Sequence, residues 1–287
     1  MPRTCFFHAG CPDGFGAAWA VRHTWGGSAA YVARGHNDRI KPGRLIGHEI
    51  AFVDIAPSLE ELEHLVTESA LLHIVDHHIT AKTRIESSDF IIQSLQSQNH
   101  QITLDLEHSG AVLAWKHFLP DKPVPDLLLY IEDQDLWRFD LDFSREINAA
   151  LSTYAFDFDL WDKLATKGVF SLISKGQEVV LEQTKKIDES LKNSHKVKLG
   201  DELIEAVNSS ALRAWIGHKL ALRAKYSLPY GLVYELRKGR IEASIYSIGD
   251  LDVSEFAVER GGGGHKNASG FSVSLTDWRR LYLDTEN

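Results

Sequence analysis

Histidines and aspartates stand along this chain in short runs, each where an apolar stretch ends. His8 closes TCFFH, and Asp13 follows in the turn Cys11-Pro12-Asp13-Gly14. Asp54 ends EIAFVD, just before Pro57. Asp76, His77 and His78 close LLHIVDHH, and Asp133 and Asp135 stand two apart in YIEDQDLW. Imidazole and carboxylate together are metal-ligand chemistry. An aspartate directly after an apolar strand is costly to bury unless it is paired or bound to a cation. An acidic pair at a helix C-terminus runs against the helix dipole and leans toward a cation nearby. Adjacent residues of a strand face opposite ways, so His77 and His78 cannot both aim at one metal in the same manner. One is expected on metal, the other on substrate or in a supporting position. Taken singly, each run has a plain structural explanation: a polar strand end, an Asp-Gly turn, a helix cap or a solvated helix end. Their joint pattern does not.

A fifth run, Glu259–Phe271 (ERGGGGHKNASGF), has a different composition. Four consecutive glycines are entropically expensive to order, and they make sense where backbone amides wrap an anion. His265, Lys266, Asn267 and Ser269 then add donors for a phosphate, a ribose or a base. In the first run, the helix opening at Asp13 offers free N–H groups to the same kind of ligand.

The elements that must position these residues alternate. TCFFHA, EIAFVD and ALLHIVD read as strands, and FGAAWAVRHTW, SLEELEHLVTE, AVLAWKHFL and VPDLLLYIEDQDLW as helices. Ser58 with Glu61 three residues on forms a capping-box signature for the second of these helices. Strands alternating with helices predict an α/β fold, a parallel sheet covered on both faces, with its ligand at the carboxyl ends of the strands. His8, Asp13, Asp54 and Asp76–His78 all fall there. Ser171–His195 is long, charged and helical in pattern, and is read as a connecting helix. Beyond it DELIEAVNSS, LALRAKY, YGLVYELRKGRIEASIYSI and ASGFSVSL are strand-like, with RKGR a hairpin turn. The division expected is residues 1–168, a connecting helix at 169–195, and a smaller α+β domain at 196–287.

The chain has 287 residues, 44% of them hydrophobic and 25% charged, which suits two globular domains. No apolar run reaches membrane-spanning length, and the N-terminus lacks a signal-peptide pattern, so the reading is a cytoplasmic protein off the membrane. The two cysteines, Cys5 and Cys11, argue against a disulfide framework. A net charge of −9 is poorly suited to wrapping long duplex nucleic acid but is compatible with a small phosphorylated ligand held by metals.

The five runs, in this order, resemble the motifs of the DHH phosphoesterases that carry a C-terminal DHHA1 domain, and the resemblance covers nearly the whole chain. It implies two divalent metals, manganese favoured, in a cleft between the domains. By position His8, Asp13, Asp54, His77 and Asp133 would be metal ligands, with Asp54 the bridge. His78 would contact the scissile phosphate or its surroundings, and Asp76 would orient a histidine. Gly262, Gly263, Gly264, His265, Asn267 and Ser269 would bind substrate. The departure is Cys11, where many members carry an aspartate. Either Cys11 ligates as a thiolate, favouring a softer metal, or water or a carboxylate such as Asp135 fills the place.

The function implied is hydrolysis of short oligoribonucleotides or linear dinucleotides to nucleoside 5′-monophosphates by a hydroxide held between two metals. The linear diguanylate pGpG, from cyclic di-GMP signalling, is the favoured substrate. Left open are a phosphatase of 3′-phosphoadenosine 5′-phosphate, a cyclic-dinucleotide phosphodiesterase, a polyphosphatase and a nucleotide-binding regulator without turnover. Whether the chain forms a homodimer is also open.

Overall fold

The computed structural model describes residues 1–35, 38–200, 202–226 and 228–283. The second domain expected to end at 287 therefore has its last four residues, with Asp201 and Ser227, outside the described ones. Residues 1–180 and 181–287 form two compact units.

In the first unit β1 (Arg3–His8) leads into α1 (Pro12–Trp25), β2 (Ala30–Arg34) and β3 (Glu49–Val53). Then come α2 (Leu59–Glu68), β4 (Leu71–Asp76), α3 (Ile79–Glu86), α4 (Asp89–Ser97) and β5 (Gln101–Leu104). The helices α5 (Gly110–Phe118), α6 (Asp126–Asp135), α7 (Ser144–Leu151) and α8 (Phe158–Lys167) follow. The strands pair in the order β2-β1-β3-β4-β5, all parallel.

Strand periodicity explains the two cores. Cys5, Phe7, Ala51, Val53 and Val75 point into one, shared with Ala17–Val21 of α1 and Ala111–Trp115 of α5. Phe6, Ile50, Phe52, Leu72 and Ile74 point into the other, with Leu62, Leu65 and Val66 of α2 and Ile91 and Leu95 of α4. With both faces covered, the central strands need apolar residues at every position, hence their unbroken hydrophobic runs. Ser58 caps α2 as its sequence signals: its Oγ accepts from Glu61 N, and Glu61 Oε2 accepts from Ser58 N at 2.8 Å. β1 pairs with β2 on one side and β3 on the other, so the chain reverses its direction of travel across the sheet there. In open α/β sheets a ligand crevice forms beyond the strand ends at such a switch point.

The helix α9 (Ile173–Lys192) lies within the span read as the connecting helix, and the boundary between the units falls inside it. The second unit holds β6 (His195–Leu199), β7 (Glu202–Asn208), α10 (Arg213–Arg223), β8 (Tyr230–Arg237) and β9 (Arg240–Ser247). It continues through α11 (Ser254–Val258), β10 (Gly263–His265), β11 (Ala268–Ser274) and α12 (Leu275–Leu281). Its sheet runs β10-β11-β9-β8-β7-β6 and is antiparallel except for the β7–β8 pair. Lys238 and Gly239 join β8 to β9 with positive φ at both positions, the backbone of a tight hairpin loop.

One expected strand is a helix instead. In LALRAKY, Leu220–Arg223 are the last turn of α10, and Leu220 and Ala221 are fully buried on its inner side. Leucine, alanine, arginine and lysine are good helix formers, and the preceding residues supply the turns that make the segment long enough. β2 had no strong sequence signal, being a short and largely exposed edge strand. Among the described residues no helix is long and apolar enough to cross a membrane.

Candidate metal centre

Sheet register brings the first residues together. Phe7 pairs with Val53, and Val53 with Val75, so the next residues along three adjacent strands are His8, Asp54 and Asp76. Asp54 leaves β3 in the left-handed region, φ 57°, with its amide donating to Val75 O at 2.9 Å. Such backbone is unfavourable for a residue with a side chain and persists where the surroundings fix it. The start of α5 is the element that crowds it. A Cβ on Gly110 would lie 2.5 Å from Asp54 Cβ, so only glycine lets that helix come so close.

Two triads of metal-competent groups meet at Asp54. Cys11 caps α1 through its side chain, Sγ accepting from Gly14 N at 3.3 Å. The same Sγ is 3.3 Å from His8 Nδ1 and 3.5 Å from Asp54 Oδ2, and His8 Nδ1 is 3.4 Å from that oxygen. On the other side His77 Nε2 is 3.1 Å from Asp54 Oδ1, 3.7 Å from Asp13 Oδ2 and 3.6 Å from Asp135 Oδ2. Within His8–Cys11–Asp54, and within Asp13–His77–Asp135, one donor atom per residue lies within 4.8 Å of the others. Asp54, Asp76 and His78 make a third such group.

Asp13 is held by α5. Its two oxygens accept from Gly110 N at 2.7 Å and Ala111 N at 3.0 Å. Each carboxylate oxygen has a second lone pair, so this anchoring leaves capacity for a cation. Asp76 Oδ1 accepts from the amides of His77 and His78 and sits 2.7 Å from His78 Nδ1. The aspartate expected to orient a histidine is therefore against His78.

The electrostatics describe a crowded, largely buried centre. Burial pushes Asp13 well above the usual carboxylate range, and the charges of Asp54 and Asp135 push the same way. Asp135, with its side chain 31% exposed, is raised by solvent lost on its inner side and by Asp54. Burial also works against charge on Asp54, but His77 and His8 outweigh it and hold Asp54 well below the ordinary range. Burial disfavours a charged His77, yet Asp54, Asp13 and Asp135 lift it to about 10. Asp76 likewise overcomes burial to raise His78, and His78 in turn lowers Asp76. Burial, then Asp54 and Asp13, keep the Cys11 thiol well above its ordinary value. Three carboxylates that oppose one another's ionisation, arranged with imidazoles and a thiol, form a donor set that a divalent cation would relieve. The residues present fit such ions.

Asp133 lies outside these triads. It is buried, Oδ1 accepting from Asp140 N at 2.9 Å and Oδ2 from Leu141 N at 3.3 Å, so it braces the loop after α6. Asp135, two residues on, is the acid that reaches His77. In the second unit the glycine run has an internal role: β10 pairs with β11, and a Cβ on Gly262 would meet Gly270 O at 2.0 Å. Asn267 Nδ2 donates to Ser247 Oγ, Gly249 O and Leu251 O, and Ser269 Oγ donates to His265 O. Ser269 thus ties its own hairpin together, and Asn267 ties that hairpin to the end of β9 and the loop after it.

Sequence reading missed the supports around α5. Ser109 caps it, Oγ accepting from Val112 N, and buried Glu132 accepts from Ser109 N at 2.9 Å. The Ser-Gly pair before an apolar helical run was the available signal.

No family model matches the chain. An uncharacterised protein of Acanthamoeba polyphaga mimivirus, R106, is 26% identical over 293 residues, covering 93% of this chain and 66% of that protein. The chain thus spans about two thirds of that relative's length. Among solved structures, a pGpG-specific phosphodiesterase of Vibrio cholerae, PggH, overlaps at TM-score 0.47 and 12% identity, over 98% of this chain and 96% of that one. An exopolyphosphatase-related protein of Bacteroides fragilis overlaps at 0.45 and 11% identity, over 94% and 86%. RecJ of Thermus thermophilus, in complex with Mg2+, overlaps at 0.36 and 14% identity, over 97% and 48%. With every one of these scores under 0.5, the fold and chemistry of the chain rest on its own residues.

Proposed function

We infer that the protein is a divalent-metal-dependent phosphodiesterase acting on short nucleotides. The observation that carries this reading is Asp54, whose two carboxylate oxygens face different triads, His8–Cys11 on one side and His77 with Asp13 and Asp135 on the other. His8, Asp13, Asp54, His77 and Asp135 would hold two cations, Asp135 taking the place first given to Asp133. Cations there would lower the pKa of a bound water and neutralise charge on phosphoryl oxygens. Manganese suits the mixed imidazole and carboxylate donors.

The remaining residues position and donate. Asp76 holds His78 Nδ1, which fixes the ring and favours its protonated form. Protonated His78 would donate to a phosphoryl oxygen or to the departing ribose oxygen. The glycine run, with His265, would hold a phosphate of the substrate, while Ser269 keeps that hairpin in shape and Asn267 ties it to the loop after β9. The family resemblance and the net charge of −9 favour linear dinucleotides such as pGpG, or short oligoribonucleotides, with nucleoside 5′-monophosphates as products.

The test compares rates for pGpG, pApA, longer oligoribonucleotides, cyclic di-GMP, 3′-phosphoadenosine 5′-phosphate and polyphosphate with manganese-loaded protein. Asp54→Ala and His77→Ala should abolish turnover while far-ultraviolet circular dichroism stays unchanged. His78→Ala should cost about 10²–10³-fold in kcat, the range for losing a donor to developing charge. Undiminished turnover by chelator-treated Asp54→Ala protein would refute the reading.

A further inference from the structure

The two triads are chemically unequal. Asp13–His77–Asp135 offers one imidazole and two carboxylates, a set that suits manganese or magnesium. His8–Cys11–Asp54 offers nitrogen, sulfur and oxygen. A cap role does not account for a thiol at position 11. Serine, threonine, asparagine and aspartate are the effective cap residues, and sulfur is a weak acceptor. Cys5, the other cysteine, is wholly buried among apolar side chains and makes no comparable cluster with His and Asp among the described residues. Cys11 Sγ, by contrast, lies 3.3 Å from His8 Nδ1 and 3.5 Å from Asp54 Oδ2, and Asp54 itself is only 1% exposed.

We propose that the centre is built for two different metals. Cys11 is a thiolate ligand, and the His8–Cys11–Asp54 side selects a thiophilic cation such as zinc, ferrous iron or cobalt. The Asp13–His77–Asp135 side takes a hard cation, and Asp54 joins the two. Ligation exchanges the S–H proton, released to solvent, for a sulfur–metal bond, with no change of oxidation state. Thiolate favours zinc, cobalt and ferrous iron, whereas carboxylate-rich sites suit magnesium and manganese, so the sorting follows from donor type. The proposal rests on the divalent-metal part of the reading above and not on its substrate.

The experiment is a titration of metal-free full-length protein with Co2+, followed by absorption spectroscopy, with bound metal counted by equilibrium dialysis. A near-ultraviolet thiolate-to-cobalt charge-transfer band should grow to one equivalent. Cys11→Ser should lose the band and still bind cobalt through the other triad, and Cys5→Ala should keep it. In competition between zinc and manganese, the ratio of zinc to manganese retained after desalting should be higher for wild type than for Cys11→Asp. Cobalt bound without the band, or a band surviving in Cys11→Ser, overturns the proposal. If Cys11→Ser does not fold, the wild-type spectrum with Cys5→Ala decides. Absence of all cobalt binding removes the metal reading as well. A clear band in a protein inert toward every nucleotide removes only the phosphodiesterase reading.

Discussion

Asp54 is a strained, buried carboxylate whose position depends on what it touches. Its left-handed backbone and the bare Cα of Gly110 go together, because any side chain at 110 would occupy the space of the Asp54 carboxylate. Gly110→Ala should therefore displace Asp54 or push α5 away. The expected cost is about 1–3 kcal/mol of stability, the usual penalty for overpacking. Metal affinity should fall about 10–100-fold, as when a ligand's support is lost. Urea denaturation and cobalt titration measure the two effects, and a variant matching wild type in both would show that α5 does not hold Asp54. At this scale Asp54 was legible as an acid too expensive to bury idle. The distinction between Asp133 and Asp135 was not. It depends on a loop whose Trp137, Phe139 and Phe143 all take positive φ and whose amides at 140 and 141 fold back onto Asp133. No pattern of residue types announces that path.

The elements were legible where short-range chemistry decides them. The capping box of α2 and the apolar runs of β1, β3 and β4 need only neighbours in sequence, and α10 was misread because its apolar end fits either period. A partly buried polar chain between elements escaped the sequence altogether. His73 of β4 pairs with His117 of α5, Nδ1 to Nε2 at 2.9 Å, and His117 Nδ1 is 3.1 Å from Thr103 Oγ1 of β5. His73 Nε2 is 3.5 Å from Glu49 Oε1 of β3, and Glu49 Oε2 accepts from Arg3 of β1 at 2.6 Å. A hydrogen bond between two imidazoles needs one to accept, so both cannot be protonated. Burial, and then the neighbouring His73, lowers His117 to about 4. A folded-state value depressed below the ordinary one gives stability that is complete above pH ~6.5 and lost as pH falls through about 4. With its partial exposure discounted, the loss is on the order of 1–2 kcal/mol. Urea denaturation at pH 7 and at acid pH should show wild type losing that much more than His117→Gln. Equal losses would mean that the pair does not couple protonation to the packing of α5.

Across the whole molecule the charge is divided unevenly. Residues 181–287 carry 16 Lys and Arg against 15 Asp and Glu, which leaves 15 against 25 in residues 1–180. The acidity thus lies with the unit that holds the candidate metal centre. A net-negative surface repels a polyanion along its length, so attraction for phosphate must come from a few local groups and from bound cations. That favours substrates with few phosphates, and the salt dependence of the rate measures how many are engaged. For single strands, log affinity falls with log salt at a slope of about −0.7 per phosphate neutralised. A dinucleotide gripped through two phosphates should give kcat/KM with a slope of about −1.4, roughly a sevenfold loss between 50 and 200 mM salt. An enzyme that tracks a long strand through six phosphates would show about −4, a loss of a few hundredfold over the same range. Measured on pGpG and on a long oligoribonucleotide, the slopes should be alike and shallow, because added nucleotides find no cationic track. A slope that steepens with length would mean that an extended cationic path exists and that the short-substrate reading is wrong.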